Sequence, residues 1–175
     1  MKTLVIYTSQ TGFTKKYAQW IAEEMKSDIF DLQDVKKKED SFFDGYEAIV
    51  YAGWCMAGNI VKVKWFWDRA AAWKGKRLAV VAVGGSPNES PEVETFKKNI
   101  LSDEQSRYIK AFYCQGGFDY EKMNTASKLA MKMFISALKK KPDEKSRQMA
   151  ELISESYDIS DKKFTEPIAA YLRGE

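Results

Sequence analysis

The sequence predicts an α/β protein built on a doubly wound parallel sheet, and three observations carry that prediction. Apolar, strand-like runs alternate five times with helical stretches along the 175 residues. The runs are continuously apolar, as strands buried on both faces read. No Asn-Gly or comparable two-residue signal joins one run directly to the next as a hairpin. Strands linked through helices are parallel, and the helices cover both faces of the sheet. No repeat or linker divides the chain, so 1–175 is read as a single domain.

The first strand is Leu4-Val5-Ile6-Tyr7, β-branched and aromatic. Residues 14–25 follow as an amphipathic helix, with Tyr17, Ala18, Ile21, Ala22 and Met25 on one face. Residues 28–32 make a shorter, more polar strand suited to an outer position, and 33–44 a charged connection. The third strand, 48–53, is predicted to stop at Gly53. Residues 60–73 read as a helix with Val63, Phe66, Trp67 and Ala70 on one stripe. The fourth strand, 78–83, is the most apolar run and ends at Gly84-Gly85. Ser90-Pro91 opens a helix over 91–100. The fifth strand, 109–114, leads to Gly116-Gly117. A helix over 123–138 meets the breaker Lys139-Lys140-Lys141-Pro142. Residues 143–161 are polar, with a short helix near 149–154, and a last helix covers 161–172.

Composition narrows the function. Apolar residues make up 45% and charged residues 30%, the balance of a globular chain. The start passes straight into a strand, so no leader or membrane span is expected and the cytoplasm is the expected location. Cys55 and Cys114 cannot form a disulfide framework and read as free thiols. The chain has no histidine, which excludes His-based triads and His-ligated zinc; no metal site is expected. A net charge of +3, scattered, gives nucleic acid little support.

In open parallel sheets a ligand sits beyond the carboxyl ends of the strands. Four glycine-bearing loops are predicted to meet there. The first, Thr8 to Thr14, offers four hydroxyls, the Gln10 amide and backbone N–H groups around Gly12. It opens onto a helix N-terminus, whose unpaired donors and partial positive charge suit a phosphate dianion. Neither GxxxxGK[ST] nor GxGxxG is present, which disfavours ATP and NAD.

This loop, Ser9-Gln10-Thr11-Gly12-Phe13-Thr14, resembles the phosphate-binding loop of flavodoxins, α/β proteins that bind FMN. The resemblance implies five parallel strands in the order 2-1-3-4-5. It implies phosphate contacts from Ser9, Gln10, Thr11, Gly12, Phe13 and Thr14. The flavin ring would lie between the loop after strand three (Gly53, Trp54, Cys55, Met56, Ala57, Gly58, Asn59) and that after strand four (Gly84, Gly85, Ser86). Gly117 and Phe118, after strand five, complete the set. Trp54 is the stacking candidate, Cys55 a passive neighbour, and Gly58 the residue whose carbonyl would face flavin N5. No catalytic side chain is assigned, because the cofactor carries the chemistry.

The pI near 8.7 departs from the acidic character of shuttle flavodoxins. The tail, Gln115-Gly116-Gly117-Phe118-Asp119-Tyr120 followed by the lysine-rich helix, is similar to the branch holding menaquinone-dependent protoporphyrinogen oxidases. That branch's arginine and tyrosine after strand three are replaced here by Cys55-Met56. Two functions follow from the resemblance: an FMN electron carrier between partners, or a quinone-linked FMN oxidoreductase. Its partner would be a redox protein or a quinone. The helix over 129–138 has an apolar stripe (Met131, Phe134, Ile135, Leu138) amid lysines. It reads first as the ordinary helix lying on the sheet, and second as a peripheral membrane contact.

Overall fold

In the computed structural model, which describes residues 1–175, the chain runs through β1 (Thr3–Tyr7), α1 (Phe13–Met25), β2 (Asp28–Asp31), α2 (Leu32–Val35), α3 (Ser41–Asp44), β3 (Ala48–Met56) and β4 (Asn59–Ile60). It continues through α4 (Lys64–Ala70), β5 (Arg77–Gly84), α5 (Pro91–Asn99), β6 (Ile109–Gln115) and β7 (Gly117–Phe118). The last elements are α6 (Thr125–Lys139), α7 (Glu144–Leu152), β8 (Tyr157–Asp158) and α8 (Glu166–Arg173). The main sheet has the order β2-β1-β3-β5-β6, every pair on that path parallel. This is the expected 2-1-3-4-5 order once the short β4 is set aside.

The strands look continuously apolar because alternate residues bury opposite faces. Leu4, Ile6, Ile49, Tyr51, Leu78 and Val80 pack on one side with Phe66 of α4 and Val93 of α5. Val5, Val50, Ala52, Ala79 and Val81 pack on the other with Tyr17 and Ile21 of α1 and Ile168 and Leu172 of α8. Each fully buried aliphatic side chain contributes about 1.5–3 kcal/mol. Truncation at Ile49, which is 0% exposed, to alanine would cost about 2–5 kcal/mol.

Three expectations need correction. First, β3 does not end at Gly53 but runs to Met56 and turns back as β4, with Met56 opposite Asn59 and Cys55 opposite Ile60. The turn residues Ala57 and Gly58 have φ of 49° and 77°. Tight hairpins require that left-handed backbone, and alanine at the first position hides the signal. Second, α6 does not lie on the sheet. The place beside α1 is taken by α8, whose Tyr171 hydroxyl donates to the Leu78 carbonyl at 3.0 Å. Instead α6 pairs with α7, and Leu138, Ala150 and Ile153 form a small separate core with Met131 and Ile135. Third, α7 starts earlier than predicted, because the Asp143 carboxylate accepts from the Ser146 N–H at 2.8 Å and caps it. No helix is long and apolar enough to cross a membrane.

Candidate functional site

The site begins where β1 leaves the sheet. Thr8 still donates its N–H to Ala52 at 2.9 Å. Past it, the Ser9 hydroxyl accepts from the Gly12 N–H at 3.2 Å, closing a tight loop. Gly12 has a φ of 102°, a conformation costly for any residue with a Cβ, and it is the N-cap of α1. Thr14 therefore lies inside the first turn, 1% exposed, and is not itself the cap. The amide N–H groups of Gln10, Thr11, Phe13 and Thr14 meet no protein acceptor. No cation takes part in the loop: the Lys16 ammonium is held by Asp158 at 2.9 Å and by the Ser160 hydroxyl at 2.7 Å.

A cavity of about 140 Å³ opens beside these donors. Among the predicted residues, Ser9, Gln10, Thr11, Phe13, Thr14, Trp54, Cys55, Met56, Gly84, Gly85, Gly117 and Phe118 line it. Gly12 faces an adjoining groove of about 390 Å³ on the far side of the loop. Ala57, Gly58, Asn59 and Ser86 stay outside both. Ala57 and Gly58 are the hairpin turn, and the Ser86 carbonyl accepts from the Tyr113 hydroxyl at 2.9 Å. Gly53 is outside as well. A Cβ there would sit 2.6 Å from Ile60 Cγ2, so its glycine serves the hairpin rather than a ligand.

The roof escaped sequence reasoning. Met123, Ser127, Ala130 and Met131, from α6 and just before it, close the cavity over the rim. Their signal was faint: α6 has more apolar surface than one packed face uses. The roof is fastened at several points. β7 pairs with β8, and a Cβ on Gly117 would come 2.0 Å from the Tyr157 carbonyl oxygen. The Gln115 amide donates to Ile159 at 2.8 Å, and the Tyr120 hydroxyl to the Ile153 carbonyl.

The site is equipped for binding. Burial pushes the Cys55 thiol up to about 12, so it stands neutral beside the cavity. Burial likewise raises Cys114. In the adjoining groove Lys122 is paired with Asp119 at 2.6 Å, as Lys16 is with Asp158. No three or more Cys, Asp or Glu side chains gather as a metal site. What remains is a set of unpartnered donors at a helix N-terminus next to a slot walled by Trp54, Phe13, Phe118 and methionines.

A family model described as Flavodoxin domain matches residues 4–146. No curated protein matches the sequence. Among solved structures, the chain is similar to a flavodoxin, WrbA-like protein from Agrobacterium tumefaciens (19% identity, 71% of this chain and 86% of that one, TM-score 0.49). It is similar to the Trp repressor binding protein from Bacillus subtilis (18%, 73% and 97%, 0.49). It is also similar to a flavoprotein in complex with FMN from Lactobacillus acidophilus (18%, 65% and 91%, 0.44). The family assignment rests on the sequence match.

Proposed function

The chain belongs to the flavodoxin-domain family, and from that premise we propose that it binds FMN at the roofed cavity and carries electrons between partners. The observation that carries the reading is the set of unpartnered N–H groups of Gln10, Thr11, Phe13 and Thr14 at the start of α1. Those donors, with the Thr11 and Thr14 hydroxyls and the helix dipole, would hold the phosphate without a cation. Trp54 and Phe118 would flank the ring, and Cys55 would be a neutral spacer. FMN, when bound, supplies the electron-transfer chemistry. Small-molecule sites usually exceed about 300 Å³. A cavity of about 140 Å³ therefore calls for the α6–α7 roof to lift on binding. Loop, roof and sheet all contribute, so residues 1–175 act as one unit, and two unpaired thiols suit a reducing cytoplasm.

The test compares FMN with riboflavin, which lacks the phosphate. FMN is expected to bind, raise the melting temperature and outcompete riboflavin strongly. Equal affinity for both, or no binding of either, would refute the reading. A second reading, a quinone-linked FMN oxidoreductase such as a porphyrinogen oxidase, is favoured by the roof of Met123, Ser127, Ala130 and Met131, which would cover a substrate beside the ring. Anaerobic reductive titration separates the two. Reduction in one-electron stages supports the carrier; a single two-electron stage, with turnover of a porphyrinogen by a quinone, supports the enzyme.

A further inference from the structure

Helix α6 is apolar on two faces, and the fold uses one. Met131, Ile135 and Leu138 turn inward to the small core shared with α7. Leu129, Met133 and Phe134 are left 59%, 67% and 46% exposed. At 3.6 residues per turn these three fall within an arc of about 140°. A single exposed leucine is unremarkable on a protein surface, whereas three large apolar side chains on one helix face form a patch.

The charges that α6 itself carries have a single sign, while the acidic Glu144 and Glu151 lie on the neighbouring α7. α6 contains no Asp or Glu; Lys128, Lys132 and Lys139 lie on it, and Lys140 and Lys141 follow directly. Every ion-paired lysine of the molecule lies elsewhere. A second copy would bring the same lysines against these, a repulsive match. A protein partner would have to offer an acidic groove shaped to a convex ridge. A lipid surface needs no such shape, since apolar side chains sink to the acyl boundary while the ammonium groups stay among anionic headgroups.

We propose that the outer face of α6 docks the protein on an anionic lipid bilayer, as a peripheral contact independent of the cofactor reading. Ala130 and Met131 of the same helix line the cavity. Docking would thus bring the cavity to within about one helix diameter, roughly 10–12 Å, of the headgroups.

The test is flotation of the full chain with vesicles of phosphatidylcholine alone or mixed equally with phosphatidylglycerol. Flotation is expected with the mixed vesicles only, weakening as salt is added. Leu129→Ser with Met133→Ser should abolish it while leaving the melting temperature unchanged, since both side chains are already exposed. Lys128→Gln with Lys132→Gln should lower partitioning roughly thirty-fold. The proposal is overturned if the parent chain stays unbound, if it binds neutral vesicles equally well, or if the Leu129–Met133 variant floats like the parent. A dimer in sedimentation that this variant dissolves would also overturn it, assigning the face to a second copy.

Discussion

The Tyr157 hydroxyl donates to the Gly85 carbonyl at 2.8 Å, joining the segment inserted between α6 and α8, residues 143–161, to the end of β5 beside the cavity. Burial drives the phenol up to about 12, so it remains a donor at any working pH. The same ring meets Phe118 edge-on, with centroids 5.4 Å apart. Tyr157→Phe keeps the ring contact and removes only the bond, which should cost about 0.5–1.5 kcal/mol. Hydrogen exchange is expected to quicken across α6 and α7 and to stay unchanged in β1, β3 and β5. Equal protection in variant and parent would show that the roof is held by something else.

Gly117 marks a closer limit. A Cβ placed there would collide with the Tyr157 backbone carbonyl, which cannot swing aside as a side chain can. Gly117→Ala should therefore separate β7 from β8 and destabilise by about 1–3 kcal/mol, the range for an overfilled site. Urea unfolding measures the loss. A midpoint like the parent's would mean that the strand pair is slack.

Thr11→Ala combined with Thr14→Ala tests the phosphate grip. Each lost hydrogen bond to a charged phosphate costs about 1.5–3 kcal/mol, roughly 10- to 150-fold in affinity. The loss should appear in the FMN dissociation constant and shrink to near nothing with riboflavin, which offers no phosphate. An FMN affinity unchanged in the double variant would remove the loop from the binding site.

The sheet and the first loop were legible because local chemistry dictates them. Leu4 to Tyr7 can fill only a strand covered on both faces, and the polar residues Ser9 to Thr11 with Gly12 can neither continue it nor pack a core. The hairpin was not legible, because Ala57 occupies a left-handed position usually signalled by Gly, Asn or Asp. Nor was the roof. The periodicity of α6 says that the helix buries a face, but not which neighbour covers it. That choice was made by Ile168 and Leu172, distant in sequence, which claim the sheet for α8.

Cys55 lines the cavity as a neutral thiol, because burial raises it to about 12. Alkylation requires the thiolate, so iodoacetamide at neutral pH should modify Cys55 far more slowly than in urea-unfolded protein. FMN should slow it further by filling the cavity. Rapid labelling that FMN leaves untouched would place Cys55 outside the binding site.

The Lys16–Asp158 pair is the electrostatic fastening between α1 and the inserted segment, and it should fail in acid. Burial works to raise the Asp158 carboxyl, but hydrogen bonds from Ser160 and Lys16 outweigh it and leave the group below the ordinary aspartate range. A depressed folded value favours the ionised, folded form. Its contribution is complete above the unfolded value, about 3.9, and disappears as pH falls through the folded value. Both side chains are about half exposed, so solvent screening limits the pair to no more than about 1 kcal/mol. Asp119, Asp143 and Asp161 are lowered too, by hydrogen bonds from Lys122, from Ser146 and from the Lys163 backbone respectively. Acid therefore weakens the region from Asp119 to Asp161 at several points, and one variant must be read as a difference. Asp158→Asn should be less stable than the parent at neutral pH in urea unfolding, and the gap should close as pH drops below 4. A gap that persists unchanged into acid would mean that the carboxylate's charge contributes nothing and that Asp158 acts through shape alone.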